Sequence, residues 1–184
     1  PGSSDALARW SARVTIQRGG RDVDARADFT VLIGTDDLQV TDAPPLRTGG
    51  DGDTELDIVM SSLVFRAGET VSGSVVLTPR KDMSDAELGI YWCWSRSSHP
   101  LKRTPAAGGG GKSGQTIKLG KGIPLRAGAP VTVPFAVPLP PDAPPTGEAV
   151  HSSLTWFLEA SMMYSKWTQG IEKVRRPIVV VNAP

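Results

Sequence analysis

Five prolines among the eight residues from Pro138 to Pro145 constrain this chain more than any other feature. Proline fixes φ and lacks a backbone N–H, so neither a helix nor a central strand can run through this stretch. The residues that follow, His151 to Tyr164, alternate in polarity and place Leu154, Trp156 and Leu158 on one face. A period of two predicts a sheet strand. The chain is therefore expected to be a set of strands arranged around a rigid connector.

Length and composition limit the classes of protein to which the chain can belong. The 184 residues suit one domain and part of another, and 20 Gly with 16 Pro favour a turn-rich β fold. The net charge of +1 gives no overall attraction to nucleic acid, and no apolar run is long enough for a membrane span. The single cysteine, Cys93, fits a cytoplasmic protein. The chain starts with proline rather than methionine, which we expect of a fragment of a longer protein.

Alternating segments predict about seven strands after residue 54, the number of a β-sandwich. These strands are Glu55–Phe65, Thr70–Thr78, Ser84–Trp94, Gln115–Leu119, Val131–Val137, His151–Tyr164 and Ile171–Val181. A long loop is predicted from Ser95 to Gly111. An earlier hairpin, Leu7–Gln17 with Val23–Ile33, turns at Arg18–Arg21.

Two parts of the chain match one another. Leu7-Ala-Arg-Trp10 opens a strand, turn and strand that end at Ile33, and Leu154-Thr-Trp156 opens another that ends at Val181. Such self-similarity is typical of tandem domains, although hairpins also resemble one another by chance. We predict a hairpin from a truncated first lobe at 1–34, a linker at 35–54 that is mobile around Thr48 to Asp53, and a complete sandwich lobe at 55–184.

Four segments resemble motifs of a known family and agree with it in order and spacing. Val64-Phe-Arg-Ala-Gly-Glu-Thr-Val-Ser-Gly-Ser-Val76 resembles the opening motif of arrestin-like proteins. Ala129–Phe135, Leu139–Pro145 and Leu154–Ala160 resemble their central motif. The chain is most similar to the bacterial sporulation-control branch of this family. The resemblance implies an all-β, immunoglobulin-like sandwich, mainly antiparallel, that acts as a scaffold or regulator rather than as an enzyme. The phosphate-sensing core of visual arrestins is not recognisable here.

Three patterns that could indicate chemistry are weak. Ala106–Ser113 fits a loose P-loop pattern, but a strand rather than a helix is predicted after it, so a flexible loop is the better interpretation. Cys93 and His99 do not have the spacing of zinc ligands, and Cys93 alternates with tryptophans as a core residue would. The acidic run Asp51–Glu55 lacks the full calcium-loop pattern. No catalytic, cofactor-binding or metal-binding residue is predicted.

Two surface features leave alternatives open. Tyr91-Trp92-Cys93-Trp94 places aromatic rings on both faces of one strand, so one face is expected in the core and the other is available for an interface. Lys166, Lys173, Arg175 and Arg176 form a basic cluster that is either a solvated face or a site for an acidic partner.

The functional expectation is a non-catalytic, protein-binding scaffold or regulator linked to bacterial sporulation or stress control. Protein partners are expected, with self-association through the N-terminal hairpin and without nucleic acid or cofactors. The alternative is a carbohydrate-binding or surface-adhesion sandwich that uses exposed tryptophans such as Trp94 or Trp167.

Overall fold

The computed structural model describes residues 10–29, 40, 42–98, 110–149, 152–165 and 170–182. The described residues form strands and turns without a helix. The strands are β1 (Trp10–Ile16), β2 (Val23–Phe29), β3 (Leu46–Gly49), β4 (Thr54–Val59), β5 (Val64–Arg66), β6 (Thr70–Pro79), β7 (Met83–Ser98), β8 (Gly110–Ser113), β9 (Ile117–Leu125), β10 (Val131–Pro138), β11 (Gly147–Ala149), β12 (Ser152–Tyr164) and β13 (Ile171–Val181).

Two sheets enclose the hydrophobic core. One has three strands in the order β10-β6-β4, and the other has eight strands along the path β3-β13-β12-β7-β8, with β5, β9 and β11 pairing at its margins. All strand pairs are antiparallel except β5 with β13. Trp156 of the larger sheet packs in one cluster with Ile58 and Val75 of the smaller sheet, and all three side chains are fully buried. The predicted all-β sandwich is therefore confirmed.

The proline-rich connector crosses from the smaller sheet to the larger one. It leaves β10 at Pro138 and reaches β11 at Gly147, and its Leu139 and Ala143 side chains are buried. The Trp156 indole N–H donates to the carbonyl of Pro144 at 2.8 Å. The backbone of the connector is also bonded to both sheets' margins, through the Glu69 and Val180 carbonyls. The connector is thus fixed at several points although it belongs to neither sheet.

The glycines of the first family motif are required by close approaches. Gly68 has φ +80 and donates its N–H to the Pro140 carbonyl, which holds the β5–β6 turn against the connector. A Cβ at Gly73 would lie 2.3 Å from the Val59 carbonyl oxygen and 2.8 Å from the Phe135 ring. Phe135 is buried in the core between the sheets.

The predicted linker at 35–54 needs correction over its second half. Leu46–Gly49 forms β3, which pairs with β13, and Thr54 begins β4. The turn between these strands is bound to the carboxylate of Glu172, which is 1% exposed and accepts the N–H groups of Gly52 and Asp53. Residues 35–39 and 41 lie outside the described part of the chain. The sequence showed the polar turn but not the distant carboxylate that holds it.

Several other predicted boundaries differ from the structure. The predicted strand Glu55–Phe65 is two strands, β4 and β5, and Gln115–Leu119 is replaced by the longer β9. The predicted loop Ser95–Gly111 is shorter, because β7 continues to Ser98 and β8 begins at Gly110. Serine and glycine residues at these ends favoured a loop. The strands are longer than predicted because β7 pairs with β12 as far as Ser98, and β8 pairs with β7.

The N-terminal hairpin was predicted correctly in its described part. β1 and β2 pair antiparallel from Trp10–Phe29 to Ile16–Val23 and form a separate two-stranded sheet. Val14, Ile16 and Val23 are exposed on one face, and the other face holds the ion pairs Arg13–Asp24 and Arg26–Asp28. The hairpin is therefore amphipathic with its apolar face in solvent.

Candidate functional site

The side of the eight-stranded sheet that points away from the core is the best candidate surface for function. Alternation along β7 directs Trp92 and Trp94 toward the core, where both pack on Trp156 with ring centroids 5.3 and 6.5 Å away. Tyr91 and Cys93 therefore point to the opposite side. We call this side, with Tyr91, Cys93, Phe157, Glu159, Ser161, Met163, Lys173 and Arg175, the outer face.

A partly buried ion pair, in which the glutamate is buried and the arginine is 40% exposed, crosses the centre of the outer face. Glu159 of β12 lies in register between Arg175 of β13 and Tyr91 of β7. Its carboxylate is 2% exposed and accepts hydrogen bonds from the Tyr91 hydroxyl and the Arg175 Nε–H. The Arg175 guanidinium also lies 5.7 Å from the centre of the Phe157 ring. Both oxygens of the carboxylate therefore have donors, and the row adds no net charge to the face.

The pKa values around this row are shifted by burial and by the pair. Burial, and then the hydrogen bond to Glu159, raises the pKa of the Tyr91 phenol. The hydrogen bond to Glu159 raises the pKa of Arg175. Tyrosine is protonated and arginine is charged at neutral pH even at their ordinary pKa values, so both donate to the carboxylate, and the raised pKa values extend this state to higher pH.

Cys93 lies beside this row and is 8% exposed. Burial raises the pKa of its thiol, so the protonated form, which is a poor nucleophile, predominates at neutral pH. A depression of about 320 Å³ adjoins it, with Phe157, Arg175 and Ser113 in its lining. His99 and His151, the two histidines considered from the sequence, lie outside the described residues.

A longer depression lies on the other side of the Glu159 row. Gly89, Ser161, Lys118 and Met163 line a cavity of about 380 Å³, which we call the trough. A second cavity of about 550 Å³ shares Glu87, Lys121 and Met163 with it and extends to Ile171. Met163 and Ile171 lie in register and are 50% and 45% exposed. The outer face therefore combines a hollow, two exposed apolar side chains and nearby lysines.

The trough is hollow because of local sequence. Gly89 has no side chain, and a Cβ there would lie 2.7 Å from the Thr116 methyl group. The pairing of β7 with β9 is irregular between Met83 and Gly89, where the register shifts repeatedly. Bulges of this kind bend a strand and are common beside functional sites.

The predicted basic cluster is divided by the structure. Arg175 belongs to the outer face, whereas Arg176 points toward the smaller sheet, donates to the Ile58 carbonyl and binds Asp42 at 2.6 Å. Lys173 is on the outer face, with its stem along Gly49. Lys166 lies outside the described residues. The three described residues, Lys173, Arg175 and Arg176, are therefore not one solvated patch, and the strand alternation at Arg175-Arg176 already implied the division.

The P-loop-like run, Trp94 and the acidic run occupy strand or turn positions in the described residues. Gly110–Ser113, the end of the P-loop-like run, forms β8 and is followed by β9 rather than a helix, so the helix N-terminus of a P-loop is missing. Residues 106–109 lie outside the described part. Trp94 faces the core and is not an exposed sugar platform, and Trp167 is not described. Asp53 of the acidic run binds Lys81 at 3.0 Å.

Sequence reasoning missed both buried carboxylates. No sequence motif distinguishes Glu159 or Glu172, yet each carboxylate accepts hydrogen bonds from other strands or turns. The apolar neighbours Leu158 and Ala160 were the available signal for Glu159. Among the described residues, no group of three or more His, Cys, Asp or Glu side chains is placed to hold a metal ion. The described part of the chain also contains no helix long and apolar enough to cross a membrane.

Comparison with known proteins identifies the fold. No family model and no curated protein matches this sequence. Among solved structures, the crystal structure of Spo0M, a sporulation control protein from Bacillus subtilis, is similar to this chain with a TM-score of 0.56 and 17% sequence identity. The match covers 72% of this chain and 51% of that chain, so it spans about half of the Spo0M structure. At this identity the likeness establishes the fold, and it agrees with the resemblance to the sporulation-control branch of the arrestin-like proteins.

Proposed function

We propose that this protein is a non-catalytic scaffold or regulator that binds other proteins through the outer face. The observation that carries the proposal is the combination of a rigid, charge-neutral row at Glu159 with exposed Met163 and Ile171 beside it. Exposed apolar side chains on a rigid sheet are suited to protein recognition. The fold likeness to a sporulation control protein supports a regulatory role in sporulation or stress control, in the bacterial cytoplasm.

A non-catalytic role is supported by the state of the titratable groups. The carboxylates of Glu159 and Glu172 have their oxygens occupied by protein donors, so neither is available as a general base. The raised pKa values of the Cys93 thiol and the Tyr91 and Tyr164 phenols disfavour the nucleophilic anions. These five groups are therefore held in forms that favour hydrogen bonding within the protein over acid–base or nucleophilic chemistry.

The N-terminal hairpin supports a second element of the proposal, self-association. Val14, Ile16 and Val23 form an exposed apolar strip, and a lone hairpin is only marginally stable in water. Covering that strip with the hairpin of a second copy would stabilise it. The exposed strip also agrees with the predicted division into a first-lobe hairpin at 1–34, a linker at 35–54 and a lobe at 55–184. Under that division, the rest of the first lobe would cover the strip.

The test of the scaffold proposal is affinity capture with the whole chain. Wild type, Met163→Glu and Val59→Glu would be compared as baits in bacterial lysate, because Val59 is 46% exposed on the smaller sheet and serves as the matched control. We expect partners retained by wild type and Val59→Glu to be lost from Met163→Glu. Equal retention by all three baits, or none by any, would contradict a binding role for the outer face.

A further inference from the structure

The trough has a geometry that selects a particular kind of ligand. Lys173, Ser161, Gly89 and Lys118 lie in one row across β13, β12, β7 and β9. Three strand spacings separate the two lysines, which is about 14 Å between their Cα atoms. The floor between them consists of the small residues Ser161 and Gly89. The row therefore has a cationic residue at each end: Lys118 lines the cavity itself, and Lys173 lies one strand beyond Ser161. We call this row the channel.

The charges at the ends of the channel are not neutralised within the described structure. Glu87, the carboxylate on the trough, binds Lys121 at 3.3 Å. Glu159, the nearest carboxylate in the next row, is bound to Arg175. Neither Lys118 nor Lys173 forms an ion pair with another described residue. Negative groups on a ligand would therefore find two separated partners.

The walls of the channel differ in character. One wall is the apolar pair Met163 and Ile171, two residues along the strands from the floor. The other wall is the hydrogen-bonded row of Tyr91, Glu159 and Arg175. An extended peptide directs alternate side chains to opposite sides, so one side of it can meet the apolar pair while the other carries acidic groups.

We propose that the trough binds an extended peptide segment of a protein partner, with two acidic residues four positions apart and apolar residues at the second and fourth positions. Four residues of extended chain span about 13 Å, which matches the separation of Lys118 and Lys173. The apolar side chains cover Met163 and Ile171. This inference rests on the proposed scaffold function and specifies the chemistry of its partner.

The test uses synthetic peptides of defined composition and the full chain labelled with ¹⁵N. The probe is acetyl-Glu-Leu-Ala-Leu-Glu-amide, and the comparison peptide replaces both glutamates by lysine. We expect the acidic peptide to shift the backbone amide signals of Gly89, Ser161 and Met163, and the basic peptide to leave them unchanged. Binding should weaken as salt is added, because the contacts lie at the rim.

Charge reversal separates recognition from folding. Lys118→Glu and Lys173→Glu should each weaken binding of the acidic peptide by about three- to tenfold, as expected for exposed charge contacts. The double variant should instead bind the basic peptide, which a misfolded protein would not do. Arg126→Glu is the matched control, since Arg126 is exposed just after β9 and lines neither the trough nor the two cavities beside it.

The outcomes that overturn the proposal are distinct from those that overturn the scaffold function. If the acidic peptide binds the Lys118→Glu/Lys173→Glu variant as well as wild type, or shifts signals elsewhere, the peptide proposal is wrong. If lysate partners are still captured by that double variant, the scaffold function survives without the trough. If the double variant instead abolishes self-association measured by light scattering, the occupant of the trough is a second copy of the chain and the proposal is again wrong.

Discussion

Replacing Glu172 by alanine should destabilise the fold by releasing the turn between β3 and β4. Glu172 lies on β13, and its carboxylate is bound to the turn that joins β3 to β4. Gly52 donates to both oxygens at 3.0 and 3.2 Å, and Asp53 donates to Oε1 at 3.1 Å. The substitution removes these acceptors without changing any residue of the turn.

The size of the effect follows from the two backbone donors. A hydrogen bond to a charged group contributes roughly 1.5–3 kcal/mol, so losing both N–H partners should cost about 3–6 kcal/mol. The Tyr164 hydroxyl lies 3.4 Å from the same carboxylate but also donates to Thr54 at 3.0 Å, so its loss should add little. For a domain of this size the melting temperature should fall by about 6–24 °C.

The assay is thermal and urea unfolding followed by circular dichroism, with hydrogen exchange at the Gly52 and Asp53 amides. Glu172→Gln keeps one acceptor oxygen and should lose about half as much stability. Glu55→Ala is the control, because the Glu55 side chain is 69% exposed and lies 3.9 Å from Arg80. If Glu172→Ala is no less stable than Glu55→Ala, the carboxylate does not hold the turn and the argument is refuted.

Three further predictions concern buried groups. Gly73→Ala should destabilise the fold by roughly 2–4 kcal/mol in urea, because its Cβ would press on the Val59 carbonyl oxygen; an unchanged midpoint would contradict this. Iodoacetamide at pH 8 should modify Cys93 far more slowly in the native protein than in denaturant, since burial raises its pKa; equal rates would show an open thiol. Folding raises the pKa of Tyr91 above its ordinary 10.0, so the contribution of this proton to the free energy of unfolding is complete below pH 10 and is lost as the pH rises through the folded pKa. Tyr91→Phe should therefore show a smaller alkaline decline in the free energy of unfolding than wild type, and the same pH dependence in both proteins would exclude the effect.

The sandwich could be predicted from sequence because its determinants are local. The prolines of 138–145 act through their own φ angles and missing N–H groups, and the alternation around Trp156 shows which face is buried. β3 could not be predicted in this way. Leu46–Gly49 is short and polar, and it is a strand because β13 provides a partner, a contact between residues more than 120 positions apart.

The candidate site was less predictable than the fold for a related reason. Tyr91 was recognised as pointing away from one face of its strand, but its partners Glu159 and Arg175 depend on the register of β7, β12 and β13. A shift of one residue would send Glu159 into the core. The trough likewise depends on the irregular pairing beside Gly89, which no periodic pattern indicates.

The Glu159–Arg175 pair connects the stability of the outer face with its proposed use. Replacing a buried ion pair by apolar groups is often neutral for stability, so stability alone does not explain why the pair is there. In this position the pair forms a wall that carries no net charge. The positive electrostatic potential of the trough therefore comes from Lys118 and Lys173. Loss of either partner alone would leave an unpaired charge beside the trough and distort that wall. The shape of the surface therefore depends on the pair, whereas the choice of ligand depends on the lysines and on Met163 and Ile171.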